Sequence, residues 1–473
     1  MSPAVGTSEI PPGPPAAPGF DPLCAEIRRC PHAHYAALNT APVQPVAGHR
    51  NFWLVSGYDT VSEVLMDPET YDGQPFPGHD VPIMSAMRPE PHKRLRGAIQ
   101  NLFTNKALER MTPYVEAQVH KRTAALVEAG SGDLMDGWAS RIPLSVIAHL
   151  FGFPDSETDL DRLHRYGDAA IRVVIPLGGP GRAPPAGLQA RLRQARGLAR
   201  ALPLALRLLT KLPAAERRAM LNFPNPMREV PGYPRTGLPH HPELAEQIMA
   251  FNLEVLEIFQ DHLRHPRDEV VDALVPPYER GELSLVELLT SALQILVAGY
   301  ETTANTLATA VHRFAQQPDL MARLRAQPAA VEAFVEELLR IDAPLQRTLR
   351  RTTRPVTLAG VDLPENAQLI VMLGAANMDA QRFECPDRFD AGRANARRHL
   401  AFGRGIHMCI GAQLARLESR IALGAFVDAV GHVELCADDP PVRVTDKDIG
   451  MWGFARLPVR VSARSAADMS KLS

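Results

Sequence analysis

The sequence predicts a mainly α-helical fold with small β-sheets, and three observations support this prediction. Apolar residues recur with the helical period in seven stretches. Runs with strand character are short and few. No internal repeat divides the 473 residues, so one helix-rich domain is expected. The helical stretches are 58–66, 105–128, 141–151, 243–264, 284–317, 329–341 and 411–430, and the strand-like runs are 43–55, 347–373 and 455–462.

Both ends of the chain are predicted to lie outside this domain. Residues 1–20 contain six prolines and neither the basic start nor the apolar core of a signal peptide, so a disordered tail is expected there. Residues 464–473 are expected to form a second tail, which leaves 21–463 as a single folded domain. No run of about 18 apolar residues is present, so no membrane span is predicted and a cytoplasmic location is expected.

Composition and cysteine content narrow the possible functions. The formal net charge is -2, which gives the chain as a whole no reason to bind nucleic acid. Five cysteines occur at wide spacings without a CxxC pair, so a disulfide framework is not expected. A thiol therefore remains available for metal binding. The cysteines are Cys24, Cys30, Cys385, Cys409 and Cys436.

The stretch 284–317 predicts a helix of about 50 Å, at about 1.5 Å per residue. Ser284 and Glu287 form a capping box at its start. At its centre, Gly299 predicts a close helix–helix contact. The neighbouring Glu301 and Thr302 interrupt an apolar pattern, and buried polar groups need partners. This combination indicates a functional centre on the helix.

The loop 402–411 surrounds Cys409 with residues that suit a metal-binding thiolate. Gly403 and Gly405 permit a tight turn, and Gly411 leaves room for a large flat group where a helix begins. Backbone amides and a helix N-terminus lower the pKa of a thiol, which favours the thiolate form that binds iron.

This loop resembles the haem-binding signature of the cytochrome P-450 family, and all six fixed positions match. The resemblance implies a soluble, bacterial-type haem-thiolate monooxygenase. It further implies the family fold, a triangular, helix-rich single domain that encloses haem b between the long central helix and the cysteine-bearing helix. Cys409 would be the axial ligand of the iron. The matching residues are Phe402, Gly403, Gly405, His407, Cys409 and Gly411.

Other residues match the family's structural and haem-binding positions. Glu337 and Arg340 correspond to its Glu-x-x-Arg pair, which braces the haem-side core through either Arg388 or Arg393. Two haem propionates need cations or hydrogen-bond donors. The resemblance places His92, Arg96, Arg350 and His399 in that role, with Arg347 and Arg351 as alternatives to Arg350.

The centre of the long helix matches the family pattern at Ala298, Gly299, Glu301 and Thr302. The resemblance implies that Thr302 hydrogen-bonds the reacting oxygen, that Glu301 relays protons from solvent, and that Gly299 makes room for dioxygen. The predicted activity is hydroxylation, or epoxidation, by dioxygen. The alternatives are a peroxide-driven haem-thiolate peroxygenase and a non-catalytic haem sensor or binding protein. Both have less need of the acid–alcohol pair.

Electrons must come from another protein, because the chain has neither a flavin domain nor a Gly-rich dinucleotide motif. The resemblance implies a ferredoxin with an NAD(P)H-dependent reductase, bound to a monomer. Six arginines are expected on the cysteine side, where they would attract an acidic partner or serve as scattered solubilising charges. They are Arg94, Arg96, Arg397, Arg398, Arg404 and Arg416.

Positions that line the substrate pocket in the family are mostly apolar here, which predicts a substrate such as a terpenoid, polyketide or fatty acyl chain. The predicted pocket residues are Met84, Met87, Leu296, Val297, Leu345 and Trp452.

The region 178–242 is longer than expected for this family, and its segment 182–235 carries eleven Arg or Lys against two Glu. Leucines and alanines from Leu188 to Leu209 share one helical face, and basic residues share another. One interpretation is a lid that packs its apolar face on the protein. The other is a docking surface for an acidic partner, either an anionic membrane or a carrier protein.

Overall fold

The computed structural model describes residues 31–46, 51–74, 83–174, 188–221, 244–444 and 450–464. The predicted tail 1–20, and 464–473 apart from Arg464, lie outside these ranges, as do parts of the 178–242 region. Within the described ranges, no helix combines the length and the apolar character that a membrane span requires.

Helices dominate the described residues, as the apolar periodicity predicts. All seven predicted helical stretches form helices with bounds within two residues of those expected. The α-helices are α1 His32–Leu38, α2 Tyr58–Met66, α3 Pro89–Ile99, α4 Asn105–Ala129, α5 Arg141–Phe151, α6 Glu157–Val174, α7 Leu188–Lys211, α8 Ala214–Leu221, α9 Ala245–Arg264, α10 Val275–Glu279, α11 Leu285–Gln316, α12 Pro318–Ala326, α13 Ala330–Ile341, α14 Leu373–Asn377 and α15 Ala412–Ala429.

The strands form small sheets from the predicted regions and from a few short pieces in between. A five-stranded sheet has the order β1-β2-β8-β5-β3, and β2 and β8 are its parallel pair. A three-stranded antiparallel sheet has the order β4-β12-β9, and β6–β7 and β10–β11 are two-stranded. The strands are β1 Val43–Pro45, β2 Phe52–Val55, β3 Tyr71–Asp72, β4 Ser131–Asp133, β5 Thr348–Thr352, β6 Val356–Leu358, β7 Val361–Leu363, β8 Gln368–Val371, β9 Val430–Leu435, β10 Val442–Arg443, β11 Phe454–Arg456 and β12 Pro458–Ala463.

Helix α11 crosses the molecule without a break and packs against α5, α6, α9 and α15. The predicted capping box is confirmed, since the Ser284 hydroxyl accepts from the Glu287 amide and the Glu287 carboxylate accepts from the Ser284 amide. The largest hydrophobic cluster surrounds α11, while a second cluster fills the space between the five-stranded sheet and α2. The long helix is therefore the central support of the helical layer.

A buried ion network fixes α13 to the segment that leads to the cysteine loop. Glu337 and Arg340 are fully buried and form two hydrogen bonds, at 2.7 and 2.8 Å. Arg393 is the third member, with Nε 3.0 Å from Glu337 Oε1, so of the two predicted partners the structure selects Arg393. Arg388 contributes its backbone carbonyl, which accepts from Arg393.

Arg340 also donates to the carbonyls of Asn377 and Pro386, at 2.8 Å each. The Asn377 side chain accepts in turn from the Leu400 amide at 2.6 Å. Fully buried charged groups need several polar partners, and this network supplies them.

Helix α7 packs along α9 with the face opposite to the one expected. Ala195, Ala199, Leu202 and Leu206, predicted to pack on the protein under the lid interpretation, are exposed. The buried residues are instead Ala201 and Leu208 on the helix and Leu212 directly after it. Of the predicted face, Leu209 is half-buried against the core cluster. Both faces of this helix carry leucine and alanine, so periodicity alone did not identify the inward one. Leu188, Leu192 and Arg193 have side chains outside the described set.

Removal of the Glu337 carboxylate should cost much stability. We expect Glu337→Ala to lower the free energy of unfolding by about 3–5 kcal/mol, because it leaves two buried guanidinium groups without their anion. Glu332→Ala, on the same helix, removes an exposed ion pair with Arg397 and should cost less than about 1 kcal/mol. Urea denaturation of both variants measures the difference. Equal losses would contradict a stabilising role for the buried network.

Candidate active site

A cavity of about 370 Å³ lies between α11, the loop 402–411 and the start of α15. Its walls also include residues of α3 and of strand β5. Elements from both halves of the chain therefore converge on one cavity, which lies next to the predicted metal-binding cysteine.

The Cys409 side chain lines this cavity. Its loop is held by a hydrogen bond from the Cys409 amide to the Phe402 carbonyl, at 2.8 Å. Gly405 adopts φ +71°, and a Cβ there would lie 2.4 Å from the Leu65 carbonyl oxygen, so a side chain would push the loop away from α2. Gly405 itself does not line the cavity; it acts through the shape of the turn.

The electrostatics at the sulfur differ in one respect from the prediction. A hydrogen bond from the Gly411 amide and the nearby Arg96 and Arg416 guanidiniums lower the pKa of the Cys409 thiol, as expected. Burial opposes them and is the larger effect, so the pKa lies above its usual value. The thiolate form therefore depends on a further positive charge at the sulfur, which a bound metal ion provides.

Four nitrogen-rich side chains gather at one end of the cavity: His92, Arg96, Arg350 and His407. Burial lowers the pKa of His92 to about 4, and burial with the neighbouring cations lowers that of His407 to about 3. His92 Nε2 and His407 Nδ1 are buried and have no hydrogen-bond partner among the described residues. Two imidazoles with an unpartnered ring nitrogen beside two guanidiniums suit an anion, which would favour their protonated, donating form.

The structure distinguishes the competing arginines. Burial lowers the pKa of Arg350 to about 10, and this side chain reaches the cavity. Arg351 is paired with Asp72 at 2.9 Å, and Arg347 packs against Gly450. Arg350 is therefore the member of the three that faces the site.

His399 is not brought to the cavity. Its Nε2 lies 3.2 Å from Glu336 Oε2, and Arg416 binds the same carboxylate. Burial alone would raise the pKa of Glu336, but the hydrogen bonds from His399 and Arg416 lower it to about 2. A second carboxylate here would be repelled, and His399 does not line the cavity, so the structure does not support it as a propionate ligand. His407 does line the cavity, together with His92, Arg96 and Arg350.

Helix α11 presents small and hydroxylated residues to the cavity, at Ala298, Gly299, Thr302, Thr303 and Thr306. The Thr302 hydroxyl donates to the Ala298 carbonyl at 2.7 Å. A Cβ on Gly299 would lie 2.7 Å from Ile147 Cδ1, so this glycine permits the close contact with α5. The helix does not open at Gly299. Glu301 is buried and does not line the cavity.

Of the six predicted pocket residues, Met84 and Leu345 line the cavity and the other four do not. Leu296 is fully buried in the core, and Val297 packs towards α6 and α9, because successive helix residues point about 100° apart. On α11, the large aliphatic side chain that lines the cavity is that of Ile295. Met87 belongs to the core cluster, and Trp452 packs on His32 and donates to Asp342.

Several cavity residues were missed by the sequence analysis. Gln294 bridges α11 to the 83–87 turn, accepting from the Met84 amide at 3.0 Å and donating to Ser85 at 2.8 Å. Glu418 and Ser419 on α15 also line the cavity. Glu418 and Ser419 could have been predicted from the sequence, because helical spacing places them on the same face of α15 as Gly411 and Leu414.

The six arginines expected near the cysteine do not form an uninterrupted basic surface. Arg94, Arg397 and Arg416 are paired with Glu287, Glu332 and Glu336, and Arg96 faces the cavity. Arg398 and Arg404 are exposed. Acidic residues on the same side therefore neutralise half of the predicted charge.

The residues present fit haem. The unsatisfied donors at His92 and His407, together with Arg96 and Arg350, suit two buried carboxylates. The apolar and glycine-rich walls suit a flat macrocycle, and the Cys409 sulfur suits iron. Each of these features belongs to the same cavity.

Glu418 should make the stability depend on pH. It is 2% exposed, one carboxylate oxygen lacks a partner among the described residues, and burial raises its pKa to about 8. The stability associated with its neutral form is complete below the unfolded pKa of 4.5 and is lost as the pH rises through about 8. Relative to wild type, Glu418→Gln should gain up to a few kcal/mol between pH 5 and pH 8, by urea denaturation. The exposed Glu365→Gln serves as the control, and parallel pH profiles for all three proteins would contradict a raised pKa.

Comparisons with known proteins agree with this geometry. A family model described as Cytochrome P450 matches residues 211–331 and 328–458. Cytochrome P450 107B1 of Saccharopolyspora erythraea is 29% identical over 466 residues, covering 94% of this chain and 97% of the relative. The 6-deoxyerythronolide B hydroxylase of the same organism is 28% identical over 452 residues, covering 90% and 95%. The crystal structure of CalO2 superposes with a TM-score of 0.74 at 24% identity, covering 94% and 99%. The chain therefore belongs to the cytochrome P450 family of haem-binding monooxygenases.

Proposed function

We propose that this monooxygenase inserts one oxygen atom of O2 into a C–H bond of a largely apolar small molecule, by hydroxylation or epoxidation, with electrons from a ferredoxin. The observation that carries the proposal is that Cys409 and Thr302 line the same cavity from two different elements. A metal-binding thiolate and a proton-donating hydroxyl are the two protein groups that dioxygen activation needs.

Haem, when bound, supplies the reductive activation of dioxygen. Cys409 would bind the iron through its sulfur, and the Gly411 amide stabilises negative charge there. His92, Arg96, Arg350 and His407 would hold the two propionates, which orients the cofactor in the cavity.

Thr302 is placed to hold a proton at its hydroxyl. That hydroxyl donates to the Ala298 carbonyl, which leaves its oxygen lone pairs to accept from a water in the cavity. Thr303 and Thr306 extend the row of hydroxyls along the same helix face. Glu301 precedes Thr302 in the chain and lies off this face of the helix. It would supply protons from the solvent to these hydroxyls.

The redox partner is proposed to be a ferredoxin, reduced by an NAD(P)H-dependent reductase. Arg398 and Arg404 are exposed on the segments next to the cysteine loop, and they would pair with an acidic protein. We further propose that the enzyme acts as a cytoplasmic monomer.

The substrate is proposed to be a terpenoid, a polyketide or a fatty acyl chain, either free or presented by a carrier or a membrane. Met84, Ile295 and Leu345 provide apolar contacts in the cavity, with Gln294 as a polar one. Two relatives are named 6-deoxyerythronolide B hydroxylase and Vitamin D(3) 25-hydroxylase, and both names support hydroxylation as the reaction. A library screen for the change in iron spin state that follows displacement of a distal water would identify the compound.

The alternative activities differ in their oxidant. A peroxygenase would form product with hydrogen peroxide and none with NADH, ferredoxin and reductase, whereas a sensor would form product with neither. Thr302 on the cavity wall favours the dioxygen-dependent reaction, because peroxide already carries the protons that this hydroxyl would deliver.

Thr302→Ala should separate electron consumption from product formation. With a compound from the spin-state screen, we expect NADH oxidation to continue while product per NADH falls by about tenfold or more and peroxide accumulates, since proton delivery typically contributes at least that factor. Thr290→Ala removes the same type of hydroxyl-to-carbonyl bond outside the cavity and should leave the ratio unchanged. A normal ratio in Thr302→Ala would exclude the assigned role.

A further inference from the structure

The outward surface of α7 carries an apolar stripe that the proposed reaction does not use. Ala195, Ala199, Leu202 and Leu206 are all exposed and fall within about 60° of one another around the helix. Leu202 is 59% exposed and Leu206 is 56% exposed, which places them among the most exposed large apolar side chains of the described residues. The stripe runs for about 17 Å along the helix axis.

The inward surface of the same helix explains why the stripe is free to point outward. Ala201, Leu208 and Leu212 are buried against the neighbouring helix α9. Ion pairs from Arg207 to Glu257 and from Lys211 to Glu257 hold one edge of α7 to α9. The helix is therefore attached to the protein without its outer leucines.

A row of arginines borders the stripe on one side. Arg196, Arg200 and Arg207 are exposed and lie about 60° to 160° around the helix from Leu206 and its neighbours. Arg207 is held by Glu257, whereas Arg200 lies 3.7 Å from Glu246 and remains 71% exposed, and an ion pair this long and exposed contributes little. Arg217 and Arg218 on α8 add two further exposed positive charges.

The shape and charge of this surface favour a lipid bilayer over a protein partner. The stripe is a convex ridge one side chain wide, whereas a stable protein interface buries about 800 Å² on each partner in complementary contact. A bilayer needs no matching shape, since leucines enter the boundary between headgroups and acyl chains while arginines contact lipid phosphates. Basic residues next to such a stripe select anionic lipid.

We propose that α7 docks on an anionic lipid surface, with Leu202 and Leu206 inserted and Arg196 and Arg200 at the headgroups. The helix would lie in the plane of the interface, and the rest of the protein would remain on the aqueous side. This contact concerns a partner and not the reaction, so it holds whichever compound is oxidised.

Vesicle co-sedimentation of the full-length, haem-loaded protein tests the proposal. We expect wild type to sediment with vesicles of equal parts phosphatidylglycerol and phosphatidylcholine, and not with phosphatidylcholine alone. The double variant Leu202→Ser/Leu206→Ser should lose this binding by about tenfold or more. Val442→Ser, which alters a 44% exposed apolar residue on β10, should bind like wild type.

Two further variants separate insertion from simple charge attraction. Arg196→Gln/Arg200→Gln should weaken binding to the anionic vesicles, and raised salt should weaken wild-type binding in the same direction. Leu202→Trp should show a blue-shifted emission on the vesicles, against a background of the buried Trp53, Trp138 and Trp452.

Several outcomes would overturn the proposal. They are absence of wild-type binding to anionic vesicles, unchanged binding of the double leucine variant, and an unshifted Leu202→Trp emission. Self-association that the leucine substitutions abolish, without lipid binding, would identify a second copy of the chain as the occupant instead. Binding of an acidic carrier protein without vesicle binding would identify a protein partner.

Discussion

The Cys409 thiol, which lines the cavity, is the constraint on which the rest of the site depends. Burial raises its pKa, and the Gly411 amide with two nearby guanidiniums only partly offsets that cost. A positively charged metal at the sulfur completes the compensation, and the cavity around it supplies donors for an anionic macrocycle at His92 and His407. Thiolate, cofactor and propionate site are therefore coupled: each is unfavourable in this low-polarity space unless the others are present.

The position of the sulfur is maintained by polar contacts that reach well beyond its own loop. The segment before the loop is held by the ion network of Glu337, Arg340 and Arg393. Arg340 donates to the Asn377 carbonyl, and the Asn377 side chain accepts from the Leu400 amide just before the cysteine loop. Close packing at Gly405 sets the loop against α2. Charges outside the cavity thus determine where Cys409 lies relative to α11.

The sequence predicts the helices, the long central helix and the cysteine loop well, because these depend on local periodicity and on a ten-residue pattern. It predicts less well which way a side chain points, because contacts between distant segments determine that. Leu296 and Val297 were assigned to the pocket, but a shift of one residue moves a side chain by about 100° around the helix. His399 was assigned to haem, but it does not line the cavity, and its Nε2 lies 3.2 Å from Oε2 of Glu336, a residue remote in sequence. The apolar periodicity also could not predict which face of α7 points outward, because both faces carry leucine and alanine.

X-ray absorption at the iron edge of the haem-loaded protein tests the central claim most directly, since it reports the atoms bound to the metal. One sulfur neighbour is predicted for wild type, and for Cys385→Ser and Cys436→Ser, whose thiols lie outside the cavity. The sulfur neighbour should be absent in Cys409→Ser. Iron bound only by nitrogen and oxygen in wild type, or a sulfur retained in Cys409→Ser, would contradict the account.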